Sequence, residues 1–238
     1  MIKSILFIGA FFFSFYSLSQ LITTQSQTKS KISFDTSTYL YFDTDIISSF
    51  RSLAPNEAHL NTPLGIRSDE SRLICSSFTI GISLPLNQFI KVNSGLSLIQ
   101  NGEAYNWSSS INDSTYNYNS KYRYIGLPIS LSTAYGKKLK LHISAGIIPG
   151  IFSSYRQQLD WTDADGSEYD EEIKIQNDLN FFNLAAQGSL GIEYFFKAFS
   201  FRMSCIYRQQ LNNTYKEFED YIHKSSGMGG RLTLTYFL

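Results

Sequence analysis

The sequence predicts an all-β fold, an eight-stranded antiparallel up-and-down transmembrane β-barrel with short periplasmic turns and long extracellular loops. Three observations predict it. Apolar side chains recur at every second position in successive segments, which is typical of strands with one apolar face. The connections between these segments are alternately short and long. Beyond residue 20, no apolar run approaches the roughly 20 residues that a membrane-spanning helix needs.

The first element along the chain is an export signal. Lys3 precedes an apolar run from Ile5 to Tyr16, and the small residues Ser17 and Ser19 follow at the positions that a signal peptidase reads. This run is shorter than the roughly 20 residues of a membrane-spanning helix, so a retained N-terminal helix is the less favoured alternative. We predict a signal peptide over 1–19 and an outer-membrane β-barrel domain over 20–238.

Eight segments are predicted as strands. Seven of them keep strict alternation between a bulky apolar face and a face of Gly, Ser, Asn and Thr. In the first segment the alternation is weaker, because Thr36 and Thr38 interrupt the apolar face. The predicted strands are Lys31–Phe42, Ser77–Leu86, Ile90–Leu98, Tyr124–Ala134, Leu139–Ile151, Phe182–Phe196, Phe199–Arg208 and Arg231–Leu238.

The connections separate the two ends of the predicted barrel. Short turns on one side and long loops on the other are typical of outer-membrane barrels. A soluble lipocalin-like barrel also alternates, but it directs charged residues outward, whereas the second face here is mostly small and uncharged. The predicted turns are 87–88, 136–138 and 197–198, and the predicted loops are 43–72, 101–121, 156–177 and 212–226.

The composition agrees with a lipid-facing wall. The chain has 20 basic and 20 acidic residues, and its charged fraction of 17% is below the roughly 25% of an average domain. A net charge of zero excludes a polybasic nucleic-acid binder, because attraction to phosphates needs excess Lys and Arg. Aromatic residues near strand ends predict an interfacial girdle, made of Trp107, Tyr122, Tyr124, Tyr135, Tyr155, Tyr194, Phe196 and Phe199.

One stretch resembles a known family. The segment Tyr122–Ile129, a Gly-containing hairpin and the strand Leu141–Gly146 resemble the Tyr-x-x-x-Pro strand and following Gly strand of PorT-like outer-membrane β-barrel proteins. The resemblance covers roughly residues 78–238 and implies a barrel that the outer-membrane assembly machinery inserts. Some relatives are associated with protein secretion. The resemblance also implies that the last residues, Tyr236, Phe237 and Leu238, form the assembly signal.

The predicted interior contains ionisable groups. With a turn at 197–198, antiparallel register places Glu193 opposite Arg202, both pointing inward. We interpret this pair as part of a structural ionic plug, because a barrel of eight strands has room only for side chains. A proton path or an acid–base pair is the alternative. The same parity places Lys91, Lys140, His142, Arg208 and Arg231 inside.

No catalytic, cofactor-binding or metal-ligating set is predicted. The loop 160–172 partly matches a calcium-binding loop, but Trp161 occupies its first ligand position, so a solvated acidic loop is favoured over weak calcium binding. Cys75 and Cys205 fall on opposite faces of strands that are not neighbours and are predicted to be free thiols. The isolated histidines His59, His142 and His223 show no metal-ligand spacing.

These features predict an integral outer-membrane protein with a side-chain-filled lumen. We interpret it as a structural, surface-binding or secretion-accessory protein rather than an open porin, an enzyme or a nucleic-acid binder. Its partners are predicted to be outer-membrane lipid, the assembly machinery and a protein or surface glycan that contacts the long loops. A barrel-embedded enzyme and a soluble lipocalin-like ligand binder are the alternatives.

Overall fold

The computed structural model describes residues 38–54, 69–174, 178–216 and 222–238. The predicted signal peptide, 1–19, lies outside these residues. The described residues contain no helix long and apolar enough to cross a bilayer. The strands are β1 (Tyr39–Ala54), β2 (Glu70–Ser71), β3 (Leu73–Pro85), β4 (Lys91–Ser108), β5 (Thr115–Gly126), β6 (Ile129–Gly136), β7 (Leu139–Thr162), β8 (Glu168–Ile173), β9 (Phe182–Phe195), β10 (Phe199–Gln210) and β11 (Ile222–Phe237).

The strands close into an antiparallel ring with eight positions. Its order is β1, β3, β4, β5 with β6, β7, β9, β10 and β11, and β11 pairs back onto β1. β5 and β6 share one position because Leu127 and Pro128 interrupt a single wall strand, and proline has no N–H for the ladder. β2 and β8 lie beyond the ring, on β4 and β7 respectively. The predicted eight-stranded up-and-down barrel is therefore confirmed.

Outward-facing side chains of the ring form an apolar band. Leu96 and Leu98 of β4 and Ile80 of β3 are each more than half exposed. Soluble proteins do not expose a continuous apolar surface of this extent, whereas a barrel in lipid requires it. The predicted outward parity is confirmed. The band comprises Leu40, Phe42, Ile46, Phe78, Ile80, Leu96, Leu98, Ile125, Leu131, Leu141, Ile143, Ile147, Ile151, Leu190, Ile192, Phe201, Met203, Met228, Leu232 and Leu234.

The first strand ends later than predicted. The sequence assigned 31–42 to a strand and 43–72 to a loop, but β1 continues to Ala54. Residues 31–37 lie outside the described part. Asp43 and Asp45 were predicted to lie in a loop, yet both are buried on the inner face of β1. The prediction was wrong because arginines from other strands compensate these carboxylates inside the barrel, and local alternation contains no sign of those partners.

Two of the predicted extracellular loops are largely strand. β4 and β5 pair up to Ser108 and Thr115, within the predicted loop 101–121. β7 continues to Thr162 and pairs with β8, within the predicted loop 156–177. Alternating polar and aromatic residues allow these strands to continue into water, where neither face has to be apolar. The barrel wall therefore extends past the apolar band as a sheet.

Three tyrosines of the predicted girdle point inward instead. Tyr122, Tyr124 and Tyr155 are all buried and pack together inside the ring. For Tyr155 the cause is a bulge: β5 residues Arg123 and Tyr124 pair with Ser154 and Phe152, so β7 has one extra residue there. Before the bulge the even-numbered residues of β7 face inward, and beyond it the odd-numbered residues do. The remaining predicted aromatics are exposed, namely Trp107, Tyr135, Tyr194, Phe196 and Phe199.

Candidate functional site

An ionic network crosses the lumen at the level of the apolar band. Asp45 of β1 accepts bonds from the guanidinium of Arg231, with Nε at 2.6 Å from Oδ1 and Nη2 at 2.8 Å from Oδ2. Arg208 of β10 donates from Nη2 to the same Oδ2 at 2.6 Å. All three side chains are buried. Charge-assisted bonds of this kind are about twice as strong as neutral ones, so Asp45 joins two arginines firmly.

The network continues to further strands. Arg208 also donates to Ser77 of β3 at 3.1 Å and to Gln187 of β9 at 3.0 Å. Arg231 has a second carboxylate partner, Asp43, with Nη1 and Oδ2 3.3 Å apart. Side chains from β1, β3, β9, β10 and β11 thus meet in the lumen. We call this set the lumen network; it consists of Asp43, Asp45, Ser77, Gln187, Arg208 and Arg231.

Glu193 and Arg202 lie directly opposite each other on β9 and β10, as the register predicted, and both are buried. Both side chains form hydrogen bonds with other groups. Glu193 accepts a bond from the Ser200 hydroxyl at 2.5 Å, while Arg202 reaches Thr233 of β11 at 3.2 Å and His142 at 2.6 Å. The ionic pair between Glu193 and Arg202 therefore stays a prediction of the register.

His142 of β7 has a defined tautomer. A guanidinium can only donate, so Nε2 of His142 must accept the bond from Arg202, and its proton must be on Nδ1. Nδ1 of His142 and Oδ1 of Asp43 have no hydrogen-bond partner among the described residues, and both residues line a cavity of about 20 Å³. A polar cavity of this size fits about one water molecule.

A second polar cluster lies nearer the extracellular end. Nε2 of His223 and Oε2 of Glu103 are 2.7 Å apart, and the Tyr122 hydroxyl donates to Oε1 of Glu103 at 3.0 Å. The Tyr215 hydroxyl is 2.9 Å from that of Tyr122, and Arg51 Nη1 is 3.5 Å from Glu103 Oε1. We call these five residues the mouth cluster. They come from β1, β4, β5, β11 and the segment after β10, and so converge from several sides of the barrel.

The mouth cluster lies outside the membrane-spanning part. On β4 the apolar band ends at Leu98, opposite Ile125, and the next outward pair is Gln100 with Arg123. Glu103 is five residues past Leu98, roughly 16 Å along the strand at about 3.3 Å per residue. Burial alone would raise the pKa of the Glu103 carboxyl, but His223 and Arg51 together hold that pKa below its ordinary value of 4.5.

The sequence did not predict the mouth cluster. Glu103 and Tyr122 were placed in or beside a predicted loop, and His223 was treated as an isolated histidine. Glu103 and His223 are 120 positions apart in the sequence, which leaves no local spacing to detect. Both residues are buried, and the contacts in the cluster satisfy the carboxylate on both oxygens. The arrangement is therefore suited to holding strands together at the mouth rather than to accepting a substrate.

Acidification should weaken the mouth cluster. Because the pKa of Glu103 is lower in the folded protein than in the unfolded chain, its stabilisation is fully present above the ordinary pKa of 4.5 and is lost as the pH falls through the folded value. The free energy of unfolding of the Glu103→Gln variant should be about 1–3 kcal/mol below that of the parent at pH 7, and this difference should decrease at lower pH. Urea unfolding of both proteins in lipid vesicles between pH 7 and 3 measures the difference, and a difference that does not change with pH would contradict this role.

Beyond the band, β4, β5, β7 and β8 form what we call the extracellular sheet. Four aromatic residues lie in register across its strands, since Trp107 pairs with Tyr116, Tyr116 with Trp161, and Trp161 with Tyr169. The rings of Trp161 and Tyr169 stack at 5.3 Å with an interplanar angle of 13°. We call these four residues the aromatic row. Successive positions on the other face are polar, as in the row of Asn106, Asn117, Asp160 and Asp170.

The carboxylates of the acidic loop, 160–172, are spread along a turn and a strand. Asp163 and Asp165 lie in the turn between β7 and β8, where Ser167 N–H bonds to Asp165 at 2.9 Å. Glu172 lies four residues beyond Glu168 on an extended strand, about 13 Å away, and its carboxylate contacts Arg156 and Lys174. Among the described residues no cluster of three or more His, Cys, Asp or Glu side chains is arranged to hold a metal ion.

The two cysteines are free thiols, as predicted. Cys75 is buried on the inner face of β3, and Cys205 is exposed on the outer face of β10.

The residues of the predicted assembly signal lie at the end of β11. Tyr236 and Leu238 are exposed, whereas the ring of Phe237 packs edge-on against Tyr39 of β1 at 5.7 Å.

Comparison with known proteins gives a family match. A family model described as outer membrane protein beta-barrel domain matches residues 13–216. Among solved structures, the chain is similar to Neisserial surface protein A, with 9% identity, a TM-score of 0.41 and coverage of 84% of this chain and 97% of that chain.

Two further solved structures show low sequence identity. Ail, the attachment invasion locus protein of Yersinia pestis, is 10% identical with a TM-score of 0.31, and the match covers 83% of this chain and 99% of that chain. The outer membrane protease OmpT from Escherichia coli is 8% identical with a TM-score of 0.40, covering 90% and 100%. No functionally curated protein matches the sequence significantly.

Proposed function

Because this chain belongs to the outer membrane protein beta-barrel domain family, we propose that it is a closed-lumen barrel that acts at the cell surface through its extracellular sheet. Its association with outer-membrane lipid follows from the family and from the apolar band. The proposal excludes the role of an open porin. It makes the protein a structural, surface-binding or secretion-accessory component, with the signal peptide over 1–19 removed on export.

The observation that carries the closed lumen is the lumen network. Asp45 is 1% exposed although it is a carboxylate inside a barrel that could in principle admit water. Of its two arginine partners, Arg208 extends to Ser77 of β3 and Gln187 of β9, and Arg231 extends to Asp43, so that bonded side chains occupy the space between those strands. The mouth cluster adds a second set of cross-lumen contacts. Two such layers in series leave little path for a solute.

The arrangement of the polar groups also favours a non-enzymatic role. Glu103 and His223 are the acid–base pair nearest the extracellular end, and both are buried among bonded side chains. A catalytic pair must reach the atoms of a substrate, within about 3 Å or through one water. A barrel-embedded enzyme is therefore less well supported than a structural or binding role, and a lipocalin-like binder is excluded by the outward apolar band.

The finer family assignment is also part of this proposal. Tyr124, Pro128 and the glycine-bearing β7 resemble the corresponding strands of PorT-like proteins, some of which are associated with protein secretion. In such a role the barrel would serve as an anchor and its extracellular sheet as the contact surface. Loss of a secreted protein from the medium of cells lacking this chain would support the secretion role, and unchanged secretion would favour a purely structural or adhesive one.

Conductance measurement tests the closed lumen. Purified protein reconstituted into planar bilayers should give no stable conductance steps, because the lumen network and the mouth cluster block the path. An open porin reconstituted in the same way is the positive control, and gel mobility before and after heating verifies that the protein is folded. Stable steps comparable to those of the porin would overturn the proposal.

A further inference from the structure

We infer that β8 is a docking edge for an extended cationic peptide segment of a partner protein, which pairs with it as an added strand beside the aromatic row. This inference rests on the proposed surface role. It goes further by naming the chemistry of the partner, the strand that binds it and the mode of binding. Edge strands, charge and aromatic stacking each support it independently.

The first support is the open edge. Within the described residues β8 pairs with β7 alone. Five of its six residues are exposed, so neighbouring segments do not cover it. The side of an edge strand that faces away from its neighbour presents unpaired N–H and C=O groups, which are a template for another chain. Peptides bind such edges through main-chain bonds, while alternate side chains determine specificity.

The second support is charge. The stretch 157–173 contains seven carboxylates and no Lys, Arg or His, although the whole chain has no net charge. Arg156 and Lys174, which flank this stretch, both contact a single carboxylate, that of Glu172. Within the part of the chain that the structure describes, no ion pair is formed by Glu168, Asp170 or Glu171. An exposed edge that carries this much uncompensated negative charge attracts a cationic segment and repels acidic ones.

The third support is the aromatic row. Tyr169 is on β8 itself and stacks on Trp161 of β7, so an aromatic ring lies at the docking edge. An Arg or Lys side chain that crosses an exposed Tyr or Trp face gains a cation–π contact. Glu168 and Asp170 point to the opposite face from Tyr169, because side chains alternate along a strand. A bound strand can therefore place cations over rings on one face and beside carboxylates on the other.

A neutral glycan is the competing occupant, because sugars also stack on aromatic rings. The charge distribution favours the peptide. A neutral sugar gains neither charge attraction from the carboxylates nor a strand ladder along β8, whereas a cationic strand gains both. The absence of a metal-type cluster among the described residues also leaves the carboxylates of β8 without a built cation site.

Peptide titration of the full-length barrel in lipid nanodiscs tests this inference. The probe is a labelled ten-residue peptide that alternates Arg with Thr, and fluorescence anisotropy measures its binding at low salt. A peptide alternating Glu with Thr should not bind. A peptide of equal Arg content with proline at every third position should bind about tenfold more weakly, because it cannot form a ladder.

The variant Glu168→Gln/Asp170→Asn/Glu171→Gln should weaken binding about tenfold, because the charge-assisted contacts are lost. Asp113→Asn, which removes an exposed charge from the other hairpin, is the matched control and should bind like the parent. Equal binding by the triple variant, or by the proline peptide, would overturn the inference. Binding of a neutral oligosaccharide without any binding of the Arg peptide would also overturn it and assign the surface to sugars.

Failure of this inference is distinguishable from failure of the proposed function. The same preparation is tested in planar bilayers. A barrel that does not conduct and does not bind the Arg peptide contradicts the docking edge alone. A barrel that conducts like a porin contradicts the closed lumen, whatever its peptide affinity.

Discussion

Replacing Asp45 by Asn should lower the free energy of unfolding by about 3–5 kcal/mol, because it leaves two buried arginines without their shared carboxylate. Arg208 and Arg231 both bond to Asp45 at 2.6 Å, and neither can lose its proton to relieve the charge. The amide keeps the volume and one acceptor oxygen, so the loss reports charge rather than packing. Urea unfolding in lipid vesicles, followed by tryptophan fluorescence and gel mobility, measures the change.

The matched control is Asp160→Asn in the extracellular sheet. Asp160 lies on the polar outer face of β7, opposite Asp170 of β8, where water is close and like charges face each other. Its replacement should change the free energy of unfolding by no more than about 0.5 kcal/mol, as at other surface sites. Equal effects of the two substitutions would show that the lumen network does not stabilise the barrel through charge compensation.

Deleting Tyr236, Phe237 and Leu238 should prevent insertion into the outer membrane. Tyr236 pairs with Leu40 of β1 and with Phe199 of β10, so the deletion removes the end of both ladders. It also removes the contact of Phe237 with Tyr39 and leaves the ring open at its periplasmic end, where unpaired strands face lipid. Membrane fractionation and heat modifiability on gels measure insertion.

A deletion of three residues elsewhere controls for the effect of shortening the protein. Ser110, Ile111 and Asn112 lie in the turn between β4 and β5, outside every strand, and their removal should leave insertion unchanged. Recovery of the C-terminally truncated chain in the outer membrane in heat-modifiable form would contradict the assembly role of the last three residues.

The barrel wall could be predicted from the sequence because the bilayer imposes a local rule. Most lipid-facing positions are apolar, so Leu96 and Leu98 identify their strand without reference to any other. The register of Glu193 with Arg202 could also be predicted from the sequence, because the short turn between β9 and β10 determines it. Cys75 and Cys205 were placed correctly by the same parity.

The interior and the extracellular end follow no such local rule. Asp43 and Asp45 are tolerated inside β1 because arginines about 160 to 190 residues away reach them. Tyr155 is inward because one extra residue in β7 changes the parity, and a bulge of this kind has no signature in the alternation. Glu103 and His223 meet only after the ring has closed. Long-range compensation therefore determines the parts that the pattern did not show.

The pairing of β1 with β11 has a consequence for biogenesis. These are the first and last strands of the ring, and they pair residue by residue from Tyr39 with Phe237 to Ala54 with Ile222. The ring cannot be sealed until β11 has been synthesised, and contacts this distant in sequence form slowly. Asp45 and Arg231 face each other directly across this seam. Compensation of Asp45 by Arg231 therefore requires a sealed ring, and a barrel open between β1 and β11 leaves both charged side chains at its open edge, where hydrocarbon does not suit them.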